Sequence, residues 1–241
     1  MVASLMKRLC PAQLKQKIKL ACGVPDTGAC LAAMRRRGFS PRIAIDIGAY
    51  TGEWTLSLRQ LFPTARVLMI EPQAARCTRL KTLTRVHSGL EFAPVLLGSR
   101  TAKAVTFFES ETASSVLRDP GNGGARAVER EMTTLDAVTR GTHFERADFL
   151  KLDVQGYELE VLNGAEHVLA SAEAVMMEVN LIAIYEGAPL AGEVVAFMAA
   201  RGFCVFDVCT FFRRPLDNAL WQMDVIFVRA ASPLRASTRW D

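Results

Sequence analysis

Two segments constrain this chain more than any other feature. Residues 43–52 (IAIDIGAYTG), followed by residues 67–72 (VLMIEP), read as a strand, a glycine turn, a helix and a second strand that ends in an acid. Residues 148–165 (DFLKLDVQGYELEVLNGA) contain another buried strand that breaks at Asp153 into a helix. Short apolar runs of this kind, without polar alternation, belong to strands covered on both faces. They predict an open α/β sheet, mostly parallel, that binds a nucleoside cofactor across its carboxyl edge.

The rest of the chain follows this alternation with one interruption. Ile43–Ile47 is a strand, and Glu53–Phe62 has helical spacing through Trp54, Leu58 and Leu61 until Pro63 stops it. Strand Val67–Ile70, helix Ala74–Arg85 and strand Leu90–Leu97 complete the βαβαβ half of a doubly wound fold. Between Ala104 and Val138 the rhythm breaks. Val105–Phe108 and Arg130–Leu135 read as short strands around the turn residues Gly121, Asn122, Gly123 and Gly124, a β-hairpin inserted before the fourth strand. Strand Phe149–Val154, helix Tyr157–Leu169, strand Ala174–Asn180 and helix Leu190–Arg201 follow, then Phe203–Val208 and Asp224–Val228 as a terminal hairpin. Half of the 241 residues are hydrophobic and no linker divides them, so one domain is expected over residues 41–229. Residues 1–40 form a basic helical leader or cap, and residues 230–241 a flexible tail.

Charge and cysteine usage narrow the partners. A net charge of +4, with basic residues scattered rather than interleaved with aromatics, excludes nucleic acid as the expected partner. Cys10, Cys22, Cys30, Cys77, Cys204 and Cys209 contain no CxxC pair and no ligand-like spacing with the histidines, as expected of reduced thiols. The first 25 residues carry Lys7, Arg8, Lys15, Lys17 and Lys19 without an acid, beside an apolar stripe of Leu5, Leu9, Leu14, Ile18 and Cys22. A helix capping the sheet or the site is favoured over a peripheral contact with a membrane surface. No apolar run approaches the roughly twenty residues of a membrane span, so a cytoplasmic location is expected, with peripheral membrane contact as the variant.

The candidate chemistry lies at strand ends. Gly48 and Gly52 stand where a strand turns sharply and a helix begins against a ligand, but Tyr50 and Glu53 occupy positions where a dinucleotide fingerprint needs glycine. Asp46 beside that turn repels a diphosphate and attracts an ammonium group, which favours S-adenosylmethionine over NAD. Glu71 ends the next strand, where an acid accepts hydrogen bonds from both ribose hydroxyls, and Pro72 fixes its approach. Lys151 and Asp153 share a strand face, with Asp153 at the carboxyl end; it can meet the cofactor amine, deprotonate a hydroxyl or hold a metal, and a structural pair with Lys151 is the alternative. Glu178 and Asn180 share the next strand end. Asp153, Glu178 and Asn180 together form an oxygen set suited to Mg²⁺, although Glu178 can equally position a substrate and Asn180 can merely end the strand. His143 and His167 are the histidines considered as bases, with His167 expected to face away from the site. Ser114 and Ser115 lie in the inserted stretch, without the elbow of a hydrolase.

These residues resemble the FkbM-type methyltransferase family over roughly Ile43 to Arg229. The likeness is carried by IDIGAYTGEWTL, by IEP, by TLDAV with DFLKLDVQGYELEVLNGAEHVL, and by MMEVN through LIAIYEG to RGF. It implies the class I methyltransferase (Rossmann-like) sheet of seven strands, mostly parallel, with helices on both faces and the last strand antiparallel. It also implies that Asp46, Gly48, Ala49, Tyr50 and Gly52 line the methionine side of S-adenosylmethionine, that Glu71 holds the ribose, and that Gly98 or Ser99 lies near the adenine. Tyr50 stands where the family usually has asparagine. The implied reaction is O-methylation of a sugar, glycolipid or small natural product, with Asp153, Glu178 and Lys151 as catalytic candidates. A NAD-dependent oxidoreductase and a non-catalytic binding protein on the same fold are the competing readings.

Overall fold

The computed structural model describes residues 26–239; the expected basic helix within residues 1–25 lies outside them. Seven strands form the main sheet: β1 (Ile43–Ile47), β2 (Arg66–Ile70), β3 (Leu90–Ala93), β7 (Phe149–Leu152), β8 (Ala174–Asn180), β9 (Phe203–Arg213) and β10 (Leu220–Arg229). Their order is β3-β2-β1-β7-β8-β10-β9, parallel except for β10, which runs antiparallel to both neighbours. This is the class I methyltransferase sheet expected from the sequence. Four more elements form an insertion before β7: β4 (Leu96–Leu97), β5 (Ala102–Glu109), β6 (Arg126–Thr133) and helix α4 (Leu135–Thr139). The expected inserted hairpin is the β5/β6 pair; β5 is longer at both ends than the sequence suggested, β6 starts four residues earlier and ends at Thr133 rather than Leu135, and β4 adds a third strand beside β6.

Alternation along the strands sends side chains to two apolar layers. Ile45, Ile47, Leu150 and Leu152 face α5 (Glu158–Asn163), α6 (Glu166–Ser171) and α7 (Ala191–Ala200). Ala44, Val67, Met69 and Phe149 face α1 (Thr27–Arg36), α2 (Glu53–Leu61) and α3 (Ala74–Val86). Phe39 packs edge-on against Phe149 at 5.4 Å and Phe62 at 6.0 Å, each such pair worth about 1 kcal/mol. Helix α1, assigned to the leader, therefore belongs to the core through Leu31 and Met34. Residues 230–235, assigned to the tail, also pack: Ser232 bonds Glu173 and Leu234 is buried in the same layer as Phe39.

Two expected elements are divided. The strand read as Leu90–Leu97 splits into β3 and β4, because Pro94 has no N–H for a ladder. The helix read as Tyr157–Leu169 splits into α5 and α6 at Gly164, where a Cβ would lie 2.1 Å from the Gly98 carbonyl oxygen. That close approach of distant backbone is satisfied only by glycine, and the helix stops there. Among the described residues no helix is long and apolar enough to cross a membrane.

Candidate active site

Strand order reverses between β1 and β7, and the chain leaves both strands at their carboxyl ends in opposite directions. The crevice this opens holds a cleft. Gly48, Tyr50, Glu71 and Asp153 supply its polar side; Leu96, Leu97, Phe107, Val116 and Tyr157 supply an apolar wall, largely from the inserted sheet.

The glycine turn is fixed by contact with β7. Gly48 has φ +72°, and a Cβ there would lie 1.9 Å from the Asp153 carbonyl oxygen. Its N–H and that of Ala49 both donate to the Ile70 carbonyl at 3.0 Å, the Gly52 N–H donates to Ala49 at 2.7 Å, and the Tyr50 N–H donates to Glu71 Oε2 at 2.9 Å. Four donors that a diphosphate-binding turn would offer to its ligand are thus used internally. Tyr50 has φ +49°, a conformation that asparagine adopts more readily and that costs a larger side chain about 1 kcal/mol. The Arg76 guanidinium covers its ring at 4.2 Å. Ala49 and Gly52 shape the turn from beneath rather than lining the cleft: Ala49 is buried, and a Cβ on Gly52 would meet Leu83 at 2.5 Å.

Glu71 meets the expectation of an acid at the cleft. It is 3% exposed, with Oε2 accepting from Tyr50 and Oε1 from the Gln73 N–H at 2.9 Å. Each oxygen keeps a further lone pair for a ligand hydroxyl. Burial pushes this carboxyl up, against the pull of the two N–H groups and Lys151.

Asp46 departs from its expected place. Alternation turns it onto the face of Ala44, beneath α2, where it is fully buried, accepts from Thr55 Oγ1 at 2.7 Å and does not line the cleft. Lys151, its register partner on β7, places Nζ 3.2 Å from Asp46 Oδ1, an ion pair short of hydrogen-bond alignment, and donates to the Gly48 carbonyl at 2.8 Å. Burial pulls the ammonium down, but Asp46, Asp153 and Asp224 outweigh it and hold the group above its ordinary value. Lys151 is therefore a fixed cation that braces the turn, not a proton acceptor. Gly98 and Ser99 are also displaced from their expected role: Gly98 abuts Met132 and Gly164, Ser99 donates to Glu160 at 2.6 Å, and Val95–Leu97 take the place at the cleft.

Asp153, at the other end of the cleft, is brought together with Glu178 and Asn180 behind it, but with two amides among them. Gln155 Nε2 donates to Asp153 Oδ1 at 2.7 Å and to Glu178 Oε1 at 3.2 Å; Gln222 Nε2 donates to Glu178 Oε1 at 2.8 Å and to Asn180 Oδ1 at 3.1 Å. The oxygens proposed as Mg²⁺ ligands thus face N–H groups. Among the described residues no group of three or more His, Cys, Asp or Glu side chains could hold a metal. The residues do not fit the expected Mg²⁺. Glu178 Oε2 has no hydrogen-bond partner among the described residues. Burial, then Asp153, Glu158 and Asp224, push the Glu178 carboxyl well up. His143, 3.1 Å from Glu91, and His167, 3.7 Å from Glu145, do not line the cleft. Ser114 does line it, and Ser115 bonds the Gln155 carbonyl at 2.8 Å.

Gln155, Gln222 and Tyr185 escaped the sequence reading. Gln155 sat within a quoted motif, between Asp153 and Gly156, and adjacency to a turn at a strand end was its available signal. Gln222 depends on the register of β10 against β8, which no local pattern reports.

The family described as Methyltransferase FkbM domain matches residues 46–205. Methyltransferase sdnD of Sordaria araneosa is 29% identical over 155 residues, covering 51% of this chain and 60% of that protein. The chain thus matches less than two thirds of that relative's length. Among solved structures, magnesium protoporphyrin IX methyltransferase (ChlM) of Synechocystis PCC 6803 with bound SAM is similar at a TM-score of 0.50 and 11% identity, over 84% of this chain and 76% of that one. The N-methyltransferase NodS of Bradyrhizobium japonicum WM9, in complex with S-adenosyl-l-homocysteine, is similar at a TM-score of 0.50 and 10% identity, over 84% and 85%. At such identities the likeness is one of fold.

Proposed function

Because the chain belongs to the FkbM methyltransferase family, we propose that it transfers a methyl group from S-adenosylmethionine to a hydroxyl oxygen of a sugar, glycolipid or small natural product. The observation that carries this reading is the cleft itself: an anchored acid, Glu71, faces an apolar wall, with Asp153 at the far end and Glu178 behind it, joined to it through the Gln155 amide. Glu71 binds the ribose hydroxyls, and Leu96, Leu97 and Phe107 enclose the adenine. When bound, the cofactor supplies a sulfonium methyl group that the acceptor oxygen takes as the carbon–sulfur bond breaks. Glu178 takes the acceptor's proton at Oε2, and its raised affinity for protons suits it to that task. Most of the rate comes from holding the acceptor oxygen in line with the methyl group. NAD fits poorly, because the N–H groups of the turn are already engaged.

Calorimetry with S-adenosylhomocysteine tests the reading. Glu71→Ala removes two charge-assisted contacts to the ribose and is expected to weaken binding about 100-fold, while NAD gives no heat. Equal binding by wild type and variant, or preferential binding of NAD, would overturn the assignment.

A further inference from the structure

The turn between β7 and α5 carries a residue that none of this chemistry yet uses. Gln155 has φ +57°, a left-handed conformation that costs a side chain as large as glutamine about 1 kcal/mol. The conformation sends its backbone and side chain to different segments. The carbonyl accepts from Ser115 in the insertion. Nε2 spans Asp153 Oδ1 and Glu178 Oε1, and Oε1 accepts from the Tyr185 hydroxyl at 2.5 Å. A further bond, from the Glu186 N–H to the Arg118 carbonyl at 2.9 Å, closes the loop after β8 onto the insertion.

Chemistry sets the direction of the amide. Carboxyl oxygens of Asp153 and Glu178 surround one end and the Tyr185 hydroxyl the other, and this arrangement turns Nε2 to the carboxyls. Tyr185, whose phenol burial keeps protonated, donates to Oε1 at the other end and adds a further contact in that orientation. Side chains of Asp153 and Glu178 would repel without a donor between them.

We infer that Gln155 is a positioning residue: its amide, locked by Tyr185, holds Asp153 and Glu178 at fixed spacing and keeps Glu178 Oε2 turned to the acceptor. The inference rests on the proposed methyl transfer for its catalytic consequence, and on geometry alone for the lock. Removing the amide leaves Glu71 and its two anchoring N–H groups in place and loosens the carboxylate that meets the acceptor.

Two variants test it. Gln155→Met keeps the length of the side chain but has neither donor nor acceptor; Tyr185→Phe removes the lock without touching the cleft lining. The first readout is the initial rate of label transfer from methyl-tritiated S-adenosylmethionine into a cell extract, with S-adenosylhomocysteine affinity measured by calorimetry on the same samples. Both variants are expected to slow transfer at saturating cofactor about tenfold or more, with affinity changed less than threefold. The second needs no acceptor: nitrogen-15 spectra are expected to show the Gln155 Nε2 protons exchanging slowly with water in wild type and at least tenfold faster in Tyr185→Phe. Full transfer by Gln155→Met, or Nε2 protons that exchange in wild type as fast as those of an exposed glutamine, would overturn the inference. Wild type that fails to bind S-adenosylhomocysteine would instead overturn the functional reading, and the exchange measurement would still decide the lock.

Discussion

Replacing Lys151 by methionine isolates what braces the glycine turn. The methionine fills the stem's volume but leaves Asp46, which is 0% exposed, with only the Thr55 hydroxyl, and leaves the Gly48 carbonyl without its donor. Breaking a buried ion pair by removing one partner costs about 3–5 kcal/mol. Urea unfolding is expected to show Lys151→Met losing about 4 kcal/mol at pH 7. Adding Asp46→Asn removes the uncompensated buried charge, so the double variant is expected to regain at least about 2 kcal/mol at pH 7. A loss below about 1 kcal/mol at pH 7, or a double variant no more stable than the single one, refutes the bracing argument.

Three further outcomes are expected. The wholly buried Glu158, which accepts from the Val154 and Gly156 N–H groups, has its carboxyl pushed up to about 7, chiefly by burial. Its raised value means that stability is lost as the pH rises from about 4.5 to 7, by about 3 kcal/mol, so Glu158→Gln should overtake wild type above pH 7; parallel pH profiles in urea would refute this. Gly48→Ala forces a Cβ to within 1.9 Å of the Asp153 carbonyl at φ +72°, and calorimetry and thermal melts are expected to show both loss of S-adenosylhomocysteine binding and at least about 3 kcal/mol of destabilisation. Dialysis against EDTA is expected to leave label transfer unchanged, because amide donors occupy Glu178 Oε1 and Asn180 Oδ1; activity lost and restored by Mg²⁺ would contradict that.

The parallel core was legible because its strands are buried on both faces and carry their identity in short apolar runs: Ile43–Ile47 was read with its observed bounds and Ala174–Asn180 likewise. Glu71 was legible because its place, the end of the strand after a glycine turn, is set by local order. What failed depended on partners distant in sequence. The break at Gly164 is imposed by the backbone of Gly98, and Asp46 was assigned to the ligand because strand alternation does not say which face is covered. The register Asp46↔Lys151 resolves that ambiguity, since two adjacent parallel strands each carry one opposite charge at the same level. The metal expectation failed for a similar reason. Three oxygen-bearing residues at strand ends look alike in sequence whether an ion or two glutamine amides lie between them.

These corrections change what selects the cofactor. With Asp46 neutralised by Lys151 beneath the turn, the discrimination against a diphosphate no longer rests on that carboxylate. It rests on the N–H groups of Gly48, Ala49, Tyr50 and Gly52, each committed to an oxygen of the protein and so withdrawn from a diphosphate. Glu71 and Asp153 remain as the carboxylates that line the cleft. A ligand with ribose hydroxyls and a positive charge gains from both, whereas one with phosphates is opposed by both. The same two acids are held in turn by their neighbours, Tyr50 and Gln73 for one and Gln155 for the other. Specificity in this cleft is therefore a property of how its polar groups are already satisfied, which sequence motifs describe only in part.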